Sequence, residues 1–92
     1  MKLQSATTRD DLRKRLRRVE GQVRGIQKML DEDRECAEIA QQLNAAQAAL
    51  RNATAVFLQA HARECLLRSA ELDAAAQAVL VDDLFRLLNS SR

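Results

Sequence analysis

Ninety-two residues are one domain's worth of chain, enough for a modest core but too little for a large enzyme cleft walled by its own fold. Alanine and leucine fill 30 positions against ten for Val, Ile and Thr together, with two Gly, two Phe and no Pro. This is an all-α composition that leaves little room for β or α/β architectures. The formal charge of +2 conceals an asymmetry: nine basic and three acidic residues in 1–28, net +6, against six and ten in 29–92, net −4. No apolar run approaches the roughly 20 residues of a bilayer crossing, and Met1-Lys2-Leu3-Gln4-Ser5 has no signal-peptide apolar block behind it. A cytoplasmic protein with no membrane partner is expected, in which two cysteines serve a metal or redox chemistry rather than a disulfide.

A first helix is predicted over 8–30. Thr8 followed by Asp11 reads as its start, and Leu12, Leu16, Val19, Val23, Ile26 and Leu30 form a narrow heptad seam of the coiled-coil kind. Arg13-Lys14-Arg15-Leu16-Arg17-Arg18 puts five cations in six positions, a density suited to phosphates. A solvated helix face, or a helical adaptor binding an acidic protein, are the other readings of that block. Membrane adsorption is weaker, because the adjoining stripe lacks Trp and Phe. Gly21 and Gly25, four apart on another face, suggest close approach by a helix or a phosphate, since each costs about 1 kcal/mol against alanine.

Asp31-Glu32-Asp33 breaks the pattern and places acids where a second helix would begin. That helix is predicted over 34–69 without a Gly or Pro, along the seam Cys36, Ile39, Leu43, Ala46, Leu50, Ala53 and Phe57. Its centre is alanine-rich at Ala45, Ala46, Ala48 and Ala49, which lets another helix axis come close. A third helix over 72–88 carries Val79, Leu80, Leu84, Leu87 and Leu88. Three antiparallel helices in a single domain follow. A second helix of that length overhangs its partners, so an oligomer is expected.

The soft ligands are one His and two Cys. His61 and Cys65 stand four apart, about 40° around a helix axis, and can share an ion. Cys36 precedes His61 by 25 residues, roughly 37 Å along an unbroken helix, against metal–ligand bonds of about 2.0 to 2.3 Å. One chain cannot bring the three together. Two antiparallel copies of the second helix, crossing near residues 49 and 50, can do so twice. Two thiolates and an imidazole suit three-coordinate Cu(I), whereas Zn(II) wants a fourth ligand, for which Glu64 or Glu35 is an uneasy candidate. Two plain readings stay open: small core residues with a helix-end His, or sulfur chemistry joining Cys36 and Cys65 of opposite chains with no metal. Without a glycine-rich loop or an evident oxyanion hole, catalysis is not expected.

The run Arg15-Leu16-Arg17-Arg18-Val19-Glu20-Gly21-Gln22-Val23-Arg24-Gly25-Ile26 to Met29-Leu30, then Glu35-Cys36, then His61-Ala62-Arg63-Glu64-Cys65, resembles the copper-sensitive operon repressor (CsoR/RcnR) family over about residues 8 to 88. The resemblance implies an all-α repressor without a helix-turn-helix, assembled as a dimer of antiparallel dimers and holding double-stranded operator DNA until Cu(I) binds between protomers. It implies Cys36, His61 and Cys65 as ligands. It also implies a DNA face of Lys14, Arg15, Arg17, Arg18 and Arg24, with Arg15 foremost and Arg51 of the second helix a weaker addition. Copper-responsive members often carry a Tyr before the first Cys and a helix-3 carboxylate reaching the ligand His. Glu35 takes the first place here and Asp82 could serve as the second, a changed outer shell that bears on how metal and DNA communicate. The nickel/cobalt branch uses a His near the amino terminus and a His where Cys65 stands. The formaldehyde branch resembles this chain at Glu35-Cys36 but has Pro in place of Lys2, and persulfide sensors keep both Cys without the His.

Overall fold

A computed structural model describes residues 2–90 as three helices: α1, Ala6–Asp31, α2, Cys36–Ser69, and α3, Ala74–Ser90. The start of α1 lies earlier than Thr8 and Asp11 suggest. Ser5, in extended conformation, caps it, its hydroxyl accepting the Thr8 N–H at 3.2 Å and its carbonyl the Arg9 N–H at 3.1 Å. Asp11 instead lies inside the helix and holds Arg15 one turn on, at 2.9 Å.

The acids at 31–33 also fall differently from expectation, closing α1 rather than opening α2. Asp33 adopts the left-handed conformation, φ 54°, and the N–H groups of Asp33 and Arg34 bond back to the carbonyls of Leu30 and Met29 at 3.3 and 3.0 Å. That is the Schellman closure with aspartate where glycine is usual. Acids at a helix C-terminus oppose its dipole, and here Lys28 and Arg34 reach Glu32 at 3.7 and 3.8 Å and offset the charge. Arg34 also meets Glu38 in the first turn of α2 at 2.9 Å. At the other turn, Asp73 caps α3 by accepting the Ala76 N–H at 2.8 Å.

The central helix packs against α1 on one side and α3 on the other, and α1 and α3 do not touch. The assembly is one helix thick, 59 × 25 × 13 Å, with a radius of gyration of 17.8 Å where a compact chain of this length would have about 12 Å. Few side chains among the described residues are buried: Ile26, Ala46, Ala53, His61 and Cys65. The heptad seams explain why. On α1, Leu12, Val19 and Ile26 turn toward the protein, while Leu16, Val23 and Leu30, seven apart on the other half of the seam, are exposed. On α2, Ile39, Ala46, Ala53 and Ala60 are covered, and Cys36, Leu43 and Leu50 are bare. The protomer satisfies half of each seam and leaves the other half without a partner, an apolar area that soluble monomers seldom expose.

Candidate metal centre

The last third of α2 sets Phe57, His61 and Cys65 at successive four-residue steps, one above another. The Phe57 ring lies parallel to the imidazole, planes within 6° and centroids 6.3 Å apart. Beneath it, Cys65 Sγ sits 3.7 Å from His61 Nε2. Both residues are buried, His61 at 7% and Cys65 at 4% exposure. Burial pushes the Cys65 thiol up, and the Glu64 and Asp83 carboxylates push it the same way. The thiol therefore stays protonated at neutral pH until something replaces its proton.

The pair fits a soft ion. Bonds of about 2.0 Å to nitrogen and about 2.3 Å to sulfur, opened to the roughly 120° of a three-coordinate centre, separate the donors by about 3.7 Å. The chain itself cannot complete the set. Among the described residues, no three His, Cys, Asp or Glu side chains come together as a metal cluster. Cys36, exposed, opens α2, and α2 runs without a break to Ser69. At about 1.5 Å per residue the two thiols lie roughly 43 Å apart.

Asp82 is exposed, and its neighbour Asp83, about 100° further round α3, lines the cavity beside His61 together with Leu80, Arg86 and Leu87. Glu35 is the N-cap residue of α2 but makes no side-chain cap bond. Glu64 is the residue before Cys65 on α2. Its carboxylate accepts the Ser5 N–H at 2.8 Å and the Gln4 N–H at 3.1 Å, and those two bonds hold it below the usual carboxylate range. This tie has no local signature in the sequence, because the partners of Glu64 lie 59 and 60 residues away. The Phe57–His61 stack was also missed, although its four-residue spacing could have shown it.

The proposed DNA face lies on α1. Lys14, Arg17, Arg18 and Arg24 are exposed and make no ion pair among the described residues, so their charge is available. Arg15 is half-buried and held by Asp11. Arg51 is exposed on α2. Beside this face, Arg18, Gly21, Gln22, Gly25 and Lys28 line a cleft between α1 and α2. A Cβ added at either glycine would meet nothing within 4 Å, so packing within the protomer does not require them.

A layer of three helices with a basic first helix and a half-built soft-ligand site defines a class of regulator, and comparison agrees. Residues 8–90 match the metal-sensitive transcriptional repressor family, and the chain belongs to it. It is 40% identical over 75 residues to the copper-sensing transcriptional repressor CsoR of Bacillus subtilis (strain 168), covering 82% of this chain and 74% of that one. It is 44% identical over 61 residues to the copper-sensing transcriptional repressor RicR of Mycobacterium tuberculosis (strain ATCC 25618 / H37Rv), covering 66% of this chain but only 64% of that one. The copper-sensing repressor CsoR with Cu(I) from Geobacillus thermodenitrificans NG80-2 superposes with a TM-score of 0.83 at 32% identity, over 98% of this chain and 92% of that one. The nickel-responsive regulator InrS does so with a TM-score of 0.81 at 28% identity, over 100% and 98%. These relatives are regulators of transcription, not enzymes. No helix among the described residues is long and apolar enough to cross a membrane.

Proposed function

We propose that the protein is a Cu(I)-responsive repressor. Metal-free, it holds double-stranded operator DNA through α1; Cu(I), bound by Cys36 of one protomer with His61 and Cys65 of another, weakens that hold. The observation that carries this reading is the preset Cys65–His61 pair at 3.7 Å, two donors of a three-donor set whose third is out of the chain's own reach. The bare stripe supports the same arrangement, because Cys36 lies on it in register with Leu43 and Leu50. An antiparallel second copy covering Leu43 and Leu50 brings its own Cys65 end toward Cys36, and pairing of such dimers into a tetramer gathers four basic helices on one DNA. Zn(II) is the poorer fit, since the oxygens of Glu64 are engaged by the Gln4 and Ser5 amides and offer no ready fourth ligand.

Bound Cu(I) supplies two thiolate bonds and one imidazole bond that cross the subunit boundary. The chain supplies the rest: Phe57 orients the imidazole, burial of Cys65 keeps water from the sulfur, and the cations of α1 neutralise phosphates. Affinity for DNA and for copper are then linked, each lowering the other by the same factor. The test is a Cys36→Ala protein in a mobility-shift titration. It is expected to bind operator like the parent, with the same steep loss of affinity on raising salt, and to ignore copper; release by copper as in the parent would refute the assignment. X-ray absorption during a Cu(I) titration against a chelator reports the ligand set, and cysteine modification without bound metal would favour sulfur or formaldehyde sensing.

A further inference from the structure

Glu64 is the residue before Cys65, on the same turn of α2. Its carboxylate accepts the amide N–H groups of Gln4 and Ser5, and Ser5 is the cap from which α1 springs. Arg9 closes the same segment by donating to the Leu3 carbonyl at 2.9 Å. A carboxylate at this place satisfies the amides of the cap residue and of the residue before it, and sits near the positive end of the helix dipole. The start of α1 is thus held by a side chain whose backbone neighbour is a thiol of the sensing pair.

Resting on the copper-repressor reading, we propose that Glu64 is a positioning residue that couples the His61–Cys65 end of α2 to the DNA-facing helix α1. Glu64 and Cys65 share one rigid helical turn, so α2 cannot move at the sulfur without carrying the carboxylate. A rotation of about 10° about the helix axis displaces a group at its roughly 6 Å outer radius by about 1 Å, enough to break bonds of 2.8 and 3.1 Å. With the carboxylate displaced, α1 loses the anchor of its cap, and Lys14, Arg15, Arg17 and Arg18, which follow within four turns, lose a fixed placement against phosphates. Glu64 touches neither ion nor DNA; it acts through Ser5 and Gln4.

The experiment measures operator affinity with and without Cu(I) for the parent, Glu64→Ala and Glu64→Gln. The alanine variant is expected to take up Cu(I) at the parent's stoichiometry, while the ratio of the two operator Kd values shrinks by about fivefold or more. The glutamine variant, whose amide oxygen still accepts an N–H, is expected to recover most of the ratio. A merely structural Glu64 would weaken both states equally and leave the ratio at the parent's value, which would overturn the proposal. Exchange of the Gln4 and Ser5 amides in the DNA-free parent needs no variant: it is expected to speed up on adding Cu(I), and unchanged rates would overturn the coupling as well. A parent indifferent to copper would sink the copper reading itself, and this proposal with it.

Discussion

The two ends of α2 carry one thiol each and are built in opposite ways. At the carboxyl-terminal end Cys65 is buried, its proton is held by desolvation, and His61 lies 3.7 Å away with the Phe57 ring parallel to it. At the amino-terminal end Cys36 is exposed, and the N-cap residue before it makes no side-chain bond. On the proposed reading a sensing site is half organised and half borrowed: His61 and Cys65 stand together inside one subunit, and the third donor would be delivered by assembly. Preparing all three in one chain would leave assembly unaffected by the ion, whereas a divided set makes the ion a part of the subunit contact.

The most decisive way to break this contrast is to separate the ends genetically. Cys36→Ala and Cys65→Ala proteins are each expected to bind no copper tightly. Unfolded and refolded together, they are expected to form mixed dimers that regain about one site in two, because one pairing reunites Cys36 with an intact His61–Cys65 end. No recovery would mean that the donors do not meet across chains. Thiol chemistry is the next measure. In metal-free protein Cys65 is expected to alkylate at least about tenfold more slowly than Cys36, and to reach its half-maximal rate above the roughly pH 8.5 of a free cysteine, since its folded-state pKa is raised. Equal rates would show that the sensing end is not closed in solution.

A smaller effect is expected from Phe57→Ala. The ring is half-buried, lining an apolar groove with Leu12, Leu16, Leu50 and Ala53, so its loss should cost about 2 kcal/mol, roughly half of what a fully buried Phe contributes. It should also weaken Cu(I) binding, by freeing the imidazole, in chelator competition; undiminished affinity would deny Phe57 its orienting role.

How much of this was present in the residues can be judged position by position. The unbroken run from Cys36 to Ser69 was readable, because thirty-odd residues without Gly or Pro have no other economical conformation. The seams were readable as periodicity, but periodicity does not say which half meets the same chain; that Ile26 is buried and Leu30 is 59% exposed depends on how α1 leans on α2. Ser5 lost to Thr8 in the reading because both offer a hydroxyl before a helical run, and three residues decide which amides remain unpaired. Asp82 and Asp83 are adjacent acids about 100° apart on a helix whose orientation is set by packing. Glu64 was beyond local reasoning altogether, since its partners are 59 and 60 residues away.

The smallest effect belongs to the other end of α2. Arg34 follows the left-handed Asp33 and spans the turn, reaching Glu32 at 3.8 Å and Glu38 at 2.9 Å with its side chain 49% exposed. Half-exposed pairs of this kind are worth a few tenths of a kcal/mol each, so Arg34→Ala should lower the melting temperature by only about 2 °C. Part of that difference should vanish near 1 M salt, which weakens half-exposed ion pairs. The Phe57→Ala loss, arising from apolar burial, should persist there. If salt instead left the Arg34→Ala deficit intact, the amino-terminal end of α2 would owe its order to packing, and the contrast between a prepared end and a loosely held one would fail on the side of Cys36.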